Sequence, residues 1–200
     1  MGEVTTGGRA AAAVVATAAL ALTGCAGGVG TAAQPDRPVS SSSSSAPASS
    51  SSARFSAGGM DVTLTVAAWN GRSGTLALRF TPLRPTYHLY SVTLPADGVD
   101  GVGRPTAAVV RGAVASTGRL TTTAPLHPLT LQGVAEPLEV YPDAPLTATL
   151  PIRRSADGVA ATVLVSYAAC SETYGCQIPV SGHPVAVRVS GSSLSLGPSS

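Results

Sequence analysis

The sequence contains no lysine and little charge of either sign. Its twelve cationic side chains are all arginine, charged residues make up only 11% of the chain, and the formal net charge is +2. Apart from Arg153 and Arg154, the arginines are scattered singly. Because nucleic-acid sites need clustered cations, the sequence gives no reason to expect one.

Aromatic residues are also scarce, at 4% of the chain, whereas the chain has 22 glycines and 16 prolines beside many serines and threonines. This composition favours short strands and turns over long helices. A length of 200 residues fits one ordinary domain plus terminal segments and leaves no room for two sizeable cores. The sequence therefore predicts a single all-β domain.

The apolar run near the amino terminus is too short to span a bilayer comfortably. Arg9 precedes mostly small apolar residues over positions 10–22, whereas a spanning helix needs about 20 residues. Leu22-Thr-Gly-Cys25 resembles the lipobox of bacterial lipoprotein precursors, where the cysteine is lipidated and the chain is cleaved just before it. We predict a signal peptide over residues 1–24 and a lipid on Cys25 that anchors the protein to the outer side of the cytoplasmic membrane. The alternative is a plain secretory signal with an incidental cysteine.

The segment after Cys25 lacks large apolar side chains and contains serine runs, including residues 40–45. Such a segment cannot bury enough apolar surface to offset the entropy lost on ordering. We predict a disordered Ser/Pro-rich tether over residues 25–53, a folded domain over 54–192 and a flexible tail over 193–200.

Within residues 54–192 the apolar side chains recur at every second position, as in Val62, Leu64 and Val66. Turn pairs such as Asn70-Gly71 and Asp157-Gly158 separate these stretches. Short alternating strands without an amphipathic helix predict an immunoglobulin-like β-sandwich, with a closed barrel as the alternative. The predicted strands cover residues 62–66, 76–80, 87–94, 106–111, 128–132, 138–141, 146–152, 159–168 and 184–190.

Two cysteines, Cys170 and Cys176, remain once Cys25 is assigned to the lipid. In an extracytoplasmic compartment they can pair, and Gly175 can supply a turn that brings their Cα atoms within the roughly 4.4–6.8 Å that a disulfide needs. Strand alternation places Val163, Val165 and Tyr167 on one face. Thr162, Leu164, Ser166 and Cys170 then share the other, less apolar face, which predicts that a partner can reach Cys170.

Three roles remain open for the pair: a structural staple, a redox-active dithiol, or part of a metal site. A staple across so small a loop contributes only about 2.3 kcal/mol in the entropic model, against about 4.7 for a 100-residue loop. This difference favours a chemical role over a structural one, although secreted sandwiches also carry inactive hairpin disulfides. His88, His127 and His183 do not stand at ligand spacing from the cysteines, so we predict no metal.

The cysteine region resembles the amino-terminal periplasmic domain of DsbD-type thiol:disulfide interchange proteins. The matching segments are Val165-Ser-Tyr-Ala-Ala-Cys170, Cys176-Gln-Ile-Pro179, Tyr87-His-Leu-Tyr90 and Gly101-Val-Gly-Arg-Pro-Thr106. The resemblance covers about residues 60–190 and implies an immunoglobulin-like sandwich. It also implies that two late cysteines pass reducing equivalents to oxidised extracytoplasmic proteins.

Carried over residue by residue, the resemblance makes Cys176 the thiol that exchanges with partners and Cys170 its internal resolving partner. Tyr87 and Tyr90 match aromatic positions near the family's active pair, with ordinary core aromatics as the alternative. Glu172, between the cysteines, would influence the thiol pKa or accept a proton. The alternative is that it is an ordinary exposed acid.

Two features depart from the family pattern. Gln177-Ile-Pro179 stands where the family usually has an aromatic residue followed by two prolines. The family's cap loop also carries a phenylalanine, and no phenylalanine follows Phe80 here. Leu131 or Val134, in a covering loop over residues 126–136, would have to shield the cysteines, or shielding is absent.

The implied reaction is thiol–disulfide exchange, which needs no cofactor. With no thioredoxin-like Cys-x-x-Cys and no membrane span beyond the signal, we expect one carrier in a relay. A separate membrane protein would donate electrons to it, and thioredoxin-like or other disulfide-bearing envelope proteins would accept them. The second hypothesis is a non-catalytic sandwich lipoprotein that binds a protein or envelope component and uses the disulfide only for stability.

Overall fold

The computed structural model describes residues 51–155 and 157–197. The predicted signal peptide, the lipidation site at Cys25 and the tether up to residue 50 lie outside these ranges. All regular secondary structure in the described residues is β-strand.

Two large sheets form the body of the domain. One has five strands in the order β1-β2-β3-β9-β6, and the other has four in the order β13-β12-β10-β5. Their neighbouring strands are antiparallel, and buried side chains from both sheets form one core. The prediction of an all-β sandwich is therefore confirmed. The strands are β1 (Ser52–Ala57), β2 (Met60–Trp69), β3 (Ser73–Pro82), β4 (His88–Leu89), β5 (Ala107–Gly112), β6 (Val114–Ser116), β7 (His127–Leu129), β8 (Leu138–Val140), β9 (Leu146–Arg154), β10 (Ala160–Tyr167), β11 (Ala169–Cys170), β12 (Val180–Ser190) and β13 (Ser193–Leu196).

Alternation of apolar and polar residues determines which side of each strand enters the core. In β2 and β3, Val62 pairs with Phe80 and Leu64 with Leu78, and all four side chains are fully buried. Directly opposed residues on one face of a sheet pack against each other. Full burial of one such side chain contributes about 1.5–3 kcal/mol relative to exposure. These pairs hold β2 and β3 together at the centre of the five-stranded sheet.

The folded part extends beyond the predicted bounds of residues 54–192. β1 begins two residues earlier, at Ser52, and β13 lies wholly within the predicted flexible tail. Leu194 and Leu196 are buried in the core, which explains why this short segment adds a strand to β12. In contrast, the strand predicted over residues 87–94 is reduced to β4, because the chain turns away after Tyr90.

Four short strands form two further small sheets, and one of these strands ends at Cys170. β11 pairs with β4, β7 pairs with β8, and a bridge between Tyr90 and Val140 joins β4 to β8. Backbone bonds from Tyr141 to Leu89 and from Ser91 to Glu139 complete this connection. We call the set β7, β8, β4 and β11 the cysteine layer. Ala169, Leu89 and Tyr141 join the main core, whereas Tyr90, Leu138 and Val140 form a second cluster with Cys170.

Candidate functional site

A disulfide joins Cys170 to Cys176. The S–S distance is 2.03 Å and the Cα atoms lie 4.0 Å apart, slightly closer than the expected range. The two halves differ in exposure: Cys170, the last residue of β11, is only 5% exposed, whereas Cys176 is an exposed residue. The prediction that a partner can reach Cys170 was therefore wrong, and the accessible half of the bond is Cys176.

The reason for this correction is a break in strand alternation. The pairing of β10 with β12 shifts register between Val165 and Tyr167, and β10 ends there. The chain then continues as β11, which pairs with β4 instead of β12. Val163, Val165 and Tyr167 face the core as predicted, but their alternation does not extend to Cys170.

Hydrogen bonds close the loop between the cysteines independently of the sulfurs. The backbone N–H groups of Ser171 and Gly175 each donate to the other's carbonyl oxygen, at 3.1 and 2.9 Å. The Ser171 hydroxyl accepts bonds from the Thr173 and Tyr174 N–H groups and pairs with the Thr86 hydroxyl at 2.7 Å. Gly175 has a φ of 72°, a left-handed conformation that glycine adopts without a steric penalty. The turn predicted at Gly175 is therefore present.

Tyr90 contacts the buried sulfur directly. Its hydroxyl donates a hydrogen bond to Cys170 Sγ at 3.2 Å, and the residue is 1% exposed. Burial raises the pKa of Tyr90 above its ordinary value, so that the phenol stays protonated and remains a donor at neutral pH. Tyr90 therefore lies beside the cysteine pair, where the resemblance placed an aromatic residue.

Tyr87 and Glu172 are placed differently from Tyr90. Tyr87 is buried in the main core, and its hydroxyl accepts a 2.6 Å bond from the side-chain amide of Gln177, the residue after Cys176. Glu172 is exposed at the rim of a cleft of about 370 Å³ beside the cysteine loop. Tyr87 therefore supports the chain next to the exposed sulfur, and Glu172 borders the cleft.

The covering loop predicted over residues 126–136 includes β7 and the turn after it. Leu131 and Val134 are partly buried against the cluster that contains Cys170 and Tyr90. They therefore belong to the same apolar cluster as the buried cysteine, while Cys176 stays exposed. Their effect on thiol reactivity stays a prediction.

Sequence reasoning missed the pairing of His88 with Asp143. Nδ1 of His88 lies 3.4 Å from Oδ1 of Asp143, and the His88 side chain is 7% exposed. Desolvation lowers the pKa of His88 from its ordinary value, while the nearby Asp143 and Glu172 carboxylates oppose this shift. His88 and Asp143 both line the cleft beside Glu172. The histidine stands inside the quoted Tyr87-His-Leu-Tyr90 segment, but nothing local to it indicates a contact with a residue so distant in sequence.

The three histidines considered as metal ligands do not converge. His183 stacks on Phe55 with ring centroids 3.8 Å apart, His127 is exposed, and His88 faces Asp143. Over residues 51–155 and 157–197, no group of three or more His, Cys, Asp or Glu side chains could hold a metal ion. The same residues include no helix long and apolar enough to cross a membrane.

The chain has a likeness among solved structures but no match to a protein family. No protein-family model matches the chain, and no curated protein matches it. Among solved structures, the chain is similar to the reduced DsbD amino-terminal domain of Neisseria meningitidis, with 16% identity and a TM-score of 0.39. The match covers 69% of this chain and 89% of that one. At these values the likeness carries no argument, and the fold is defined by the chain's own two sheets.

Proposed function

We propose that the protein performs thiol–disulfide exchange through Cys170 and Cys176. The observation that carries this proposal is the asymmetry of the bond. Cys176 is exposed to an attacking thiolate, while Cys170 is buried and receives a hydrogen bond from Tyr90. Exchange requires one accessible sulfur and a leaving sulfur that the protein can stabilise.

The reaction follows from this arrangement. A partner thiolate attacks Cys176 Sγ, a mixed disulfide forms, and the electron pair of the broken S–S bond passes to Cys170 Sγ. The Tyr90 hydroxyl then donates to a thiolate, and such charge-assisted hydrogen bonds are stronger than neutral ones. The partner's second thiolate then attacks the partner sulfur of the mixed disulfide. A disulfide forms within the partner, Cys176 leaves as a thiolate, and the protein is left reduced. The reverse sequence passes two electrons to an oxidised client.

A purely structural role fits the loop less well. The bonds between Ser171 and Gly175, and another from the Gln177 N–H to the Ala169 carbonyl at 2.9 Å, hold the two ends of the loop together without the sulfurs. The entropic contribution of so short a closure is only about 2.3 kcal/mol. These backbone hydrogen bonds therefore join the same two ends of the loop that the disulfide joins.

For the cellular setting we propose a lipoprotein anchored through Cys25 on the outer side of the cytoplasmic membrane. A membrane electron donor would reduce it, and thioredoxin-like or other disulfide-bearing envelope proteins would accept its electrons. This proposal rests on the sequence of residues 1–53 and on the resemblance in the cysteine region. Exchange between sulfurs needs no cofactor.

The test combines a redox titration with trapping of mixed disulfides, using proteins that carry Cys25→Ser so that only the pair reacts. We expect a potential between about −180 and −270 mV, the range of isomerases and thioredoxins. Cys170→Ser should trap a thioredoxin-like partner on Cys176, and the matched Cys176→Ser control should trap much less. A potential below about −300 mV, with no capture by either variant, would support the structural disulfide instead.

A further inference from the structure

His88 lies directly across from the buried cysteine. It pairs with Cys170 in the antiparallel ladder of β4 and β11. Directly opposed residues point to the same face of a sheet, with Cβ atoms about 4.5–5.5 Å apart. Tyr90, two residues further along, shares this face and already bonds to the Cys170 sulfur. The imidazole and the sulfur are therefore neighbours on one side of the cysteine layer.

One nitrogen of His88 is buried without a hydrogen-bond partner. Nδ1 faces the Asp143 carboxylate, but Nε2 has no partner and is inaccessible to solvent. A buried polar atom left unsatisfied costs about 1–3 kcal/mol and calls for an explanation. With the proton of the neutral ring on Nδ1, facing Asp143, Nε2 presents a lone pair and can only accept. A disulfide sulfur has no proton to give, whereas a thiol has one.

We propose that in the reduced protein Nε2 of His88 accepts a hydrogen bond from the Cys170 thiol. When Cys170 acts as the resolving nucleophile, Nε2 is the base that takes its proton. This inference rests on the proposed exchange function and assigns a role to a residue outside the cysteine pair. Asp143 is the positioning residue, since its carboxylate holds the proton on Nδ1 and so leaves Nε2 free.

The proton has to be removed because Cys170 is buried. Burial disfavours the thiolate, yet only the thiolate is nucleophilic. When the Cys176 thiolate has attacked a client disulfide, Cys170 gives its proton to Nε2 and its sulfur attacks Cys176 Sγ. The mixed disulfide breaks, its electron pair leaves with the client sulfur, and that sulfur takes a proton from water. The imidazolium then loses a proton to solvent through Nδ1 and Asp143, whose side chain is 47% exposed.

The surroundings of His88 keep it in the basic form. Burial lowers the pKa of His88, so that the ring is neutral at pH 7. Asp143 and Glu172 oppose this shift and stabilise the imidazolium when it forms. His127 lines the same cleft, and the Tyr90 ring lies edge-on at 6.1 Å.

The experiment follows the reduced Cys25→Ser protein as it reacts with dithiobis(nitrobenzoate). Attack by Cys176 releases a first thionitrobenzoate, and resolution by Cys170 releases a second. We expect His88→Gln to slow the second release by about 100-fold at pH 7, the lower end of the usual contribution of a general base, and to leave the first unchanged. His127→Gln, which alters an exposed histidine of the same cleft, should match the parent protein in both phases.

The parent protein supplies a second readout that does not depend on a variant. Its rate of second release should reach a plateau above the pKa of His88, and the ring nitrogen resonances of His88 should shift when the disulfide is reduced. Equal second phases in the His88→Gln and His127→Gln proteins, or ring resonances unchanged by reduction, would overturn the proposal. Absence of any second release from the parent protein would instead show that the exchange function itself is wrong.

Discussion

Replacing Tyr90 by phenylalanine removes one hydroxyl group and keeps the buried ring. In the described part of the chain, the bond from this hydroxyl to Cys170 Sγ is the one side-chain hydrogen bond to either sulfur of the disulfide. The bond gains strength as Cys170 becomes a thiolate, because hydrogen bonds to charged groups contribute about 1.5–3 kcal/mol. A neutral bond contributes about 0.5–1.5 kcal/mol, so the gain is about 1–1.5 kcal/mol. If this gain is realised in the transition state, its loss slows reduction of the disulfide by about 5- to 10-fold.

The assay is stopped-flow reduction of the oxidised protein by dithiothreitol at pH 7. Tyr87→Phe is the matched control, because the Tyr87 hydroxyl accepts a bond from Gln177 and makes none to a sulfur. Thermal unfolding of both variants checks that each is folded. We expect the Tyr90→Phe protein to react about 5- to 10-fold more slowly than the Tyr87→Phe protein. Equal rates in the two folded variants would refute the reasoning that Tyr90 stabilises the leaving sulfur.

Three further predictions concern the cover, the anchor and the effect of pH. Changing Leu131 and Val134 together to Gly should speed alkylation of Cys170 in the reduced protein, and an unchanged rate would show that these side chains do not limit access. Cys25→Ser should move the protein from membranes to the soluble fraction, because acyl chains supply about 0.8 kcal/mol per buried CH₂; an unaltered distribution would argue against a lipid. Because the pKa of His88 is lowered in the folded protein, the unfolded chain binds a proton at this residue more readily than the native one. The contribution of His88 to the free energy of unfolding is therefore complete above about pH 6.5 and falls at lower pH. Denaturant unfolding at pH 7.5 and 5.5 should therefore show a larger loss of stability for the parent protein than for His88→Gln, and identical losses would contradict this.

Local patterns predicted the body of the sandwich well. The buried positions of β2, β3 and β10 follow from period-two alternation, since a strand with one buried face must place its apolar residues at every second position. The turn at Gly175 follows equally from the freedom of glycine at positive φ. These features depend on residues that are close together in the sequence.

The arrangement of the candidate site depends on contacts that no local pattern contains. Alternation predicted the wrong side for Cys170, because the register shift near Tyr167 and the switch to β4 depend on the partner strands. The bond from Tyr90 to Cys170 joins residues 80 positions apart. His88 meets Asp143 only because β8 lies beside β4 and leads into the loop that carries this carboxylate. Such pairs become visible only when the strands are assembled.

The hydrogen bonds that close the cysteine loop have a consequence for how partners are distinguished. Because the backbone from Ala169 to Gln177 is held without the sulfurs, we expect the oxidised and reduced proteins to present nearly the same surface. A partner would then dock with similar affinity before and after electron transfer, and the net direction of flow would be set by the difference in reduction potential. Such a carrier can be reduced and oxidised at the same face, but a partner that has already reacted competes for that face with one that has not. Turnover would therefore depend on how quickly complexes dissociate, which favours weak, short-lived docking.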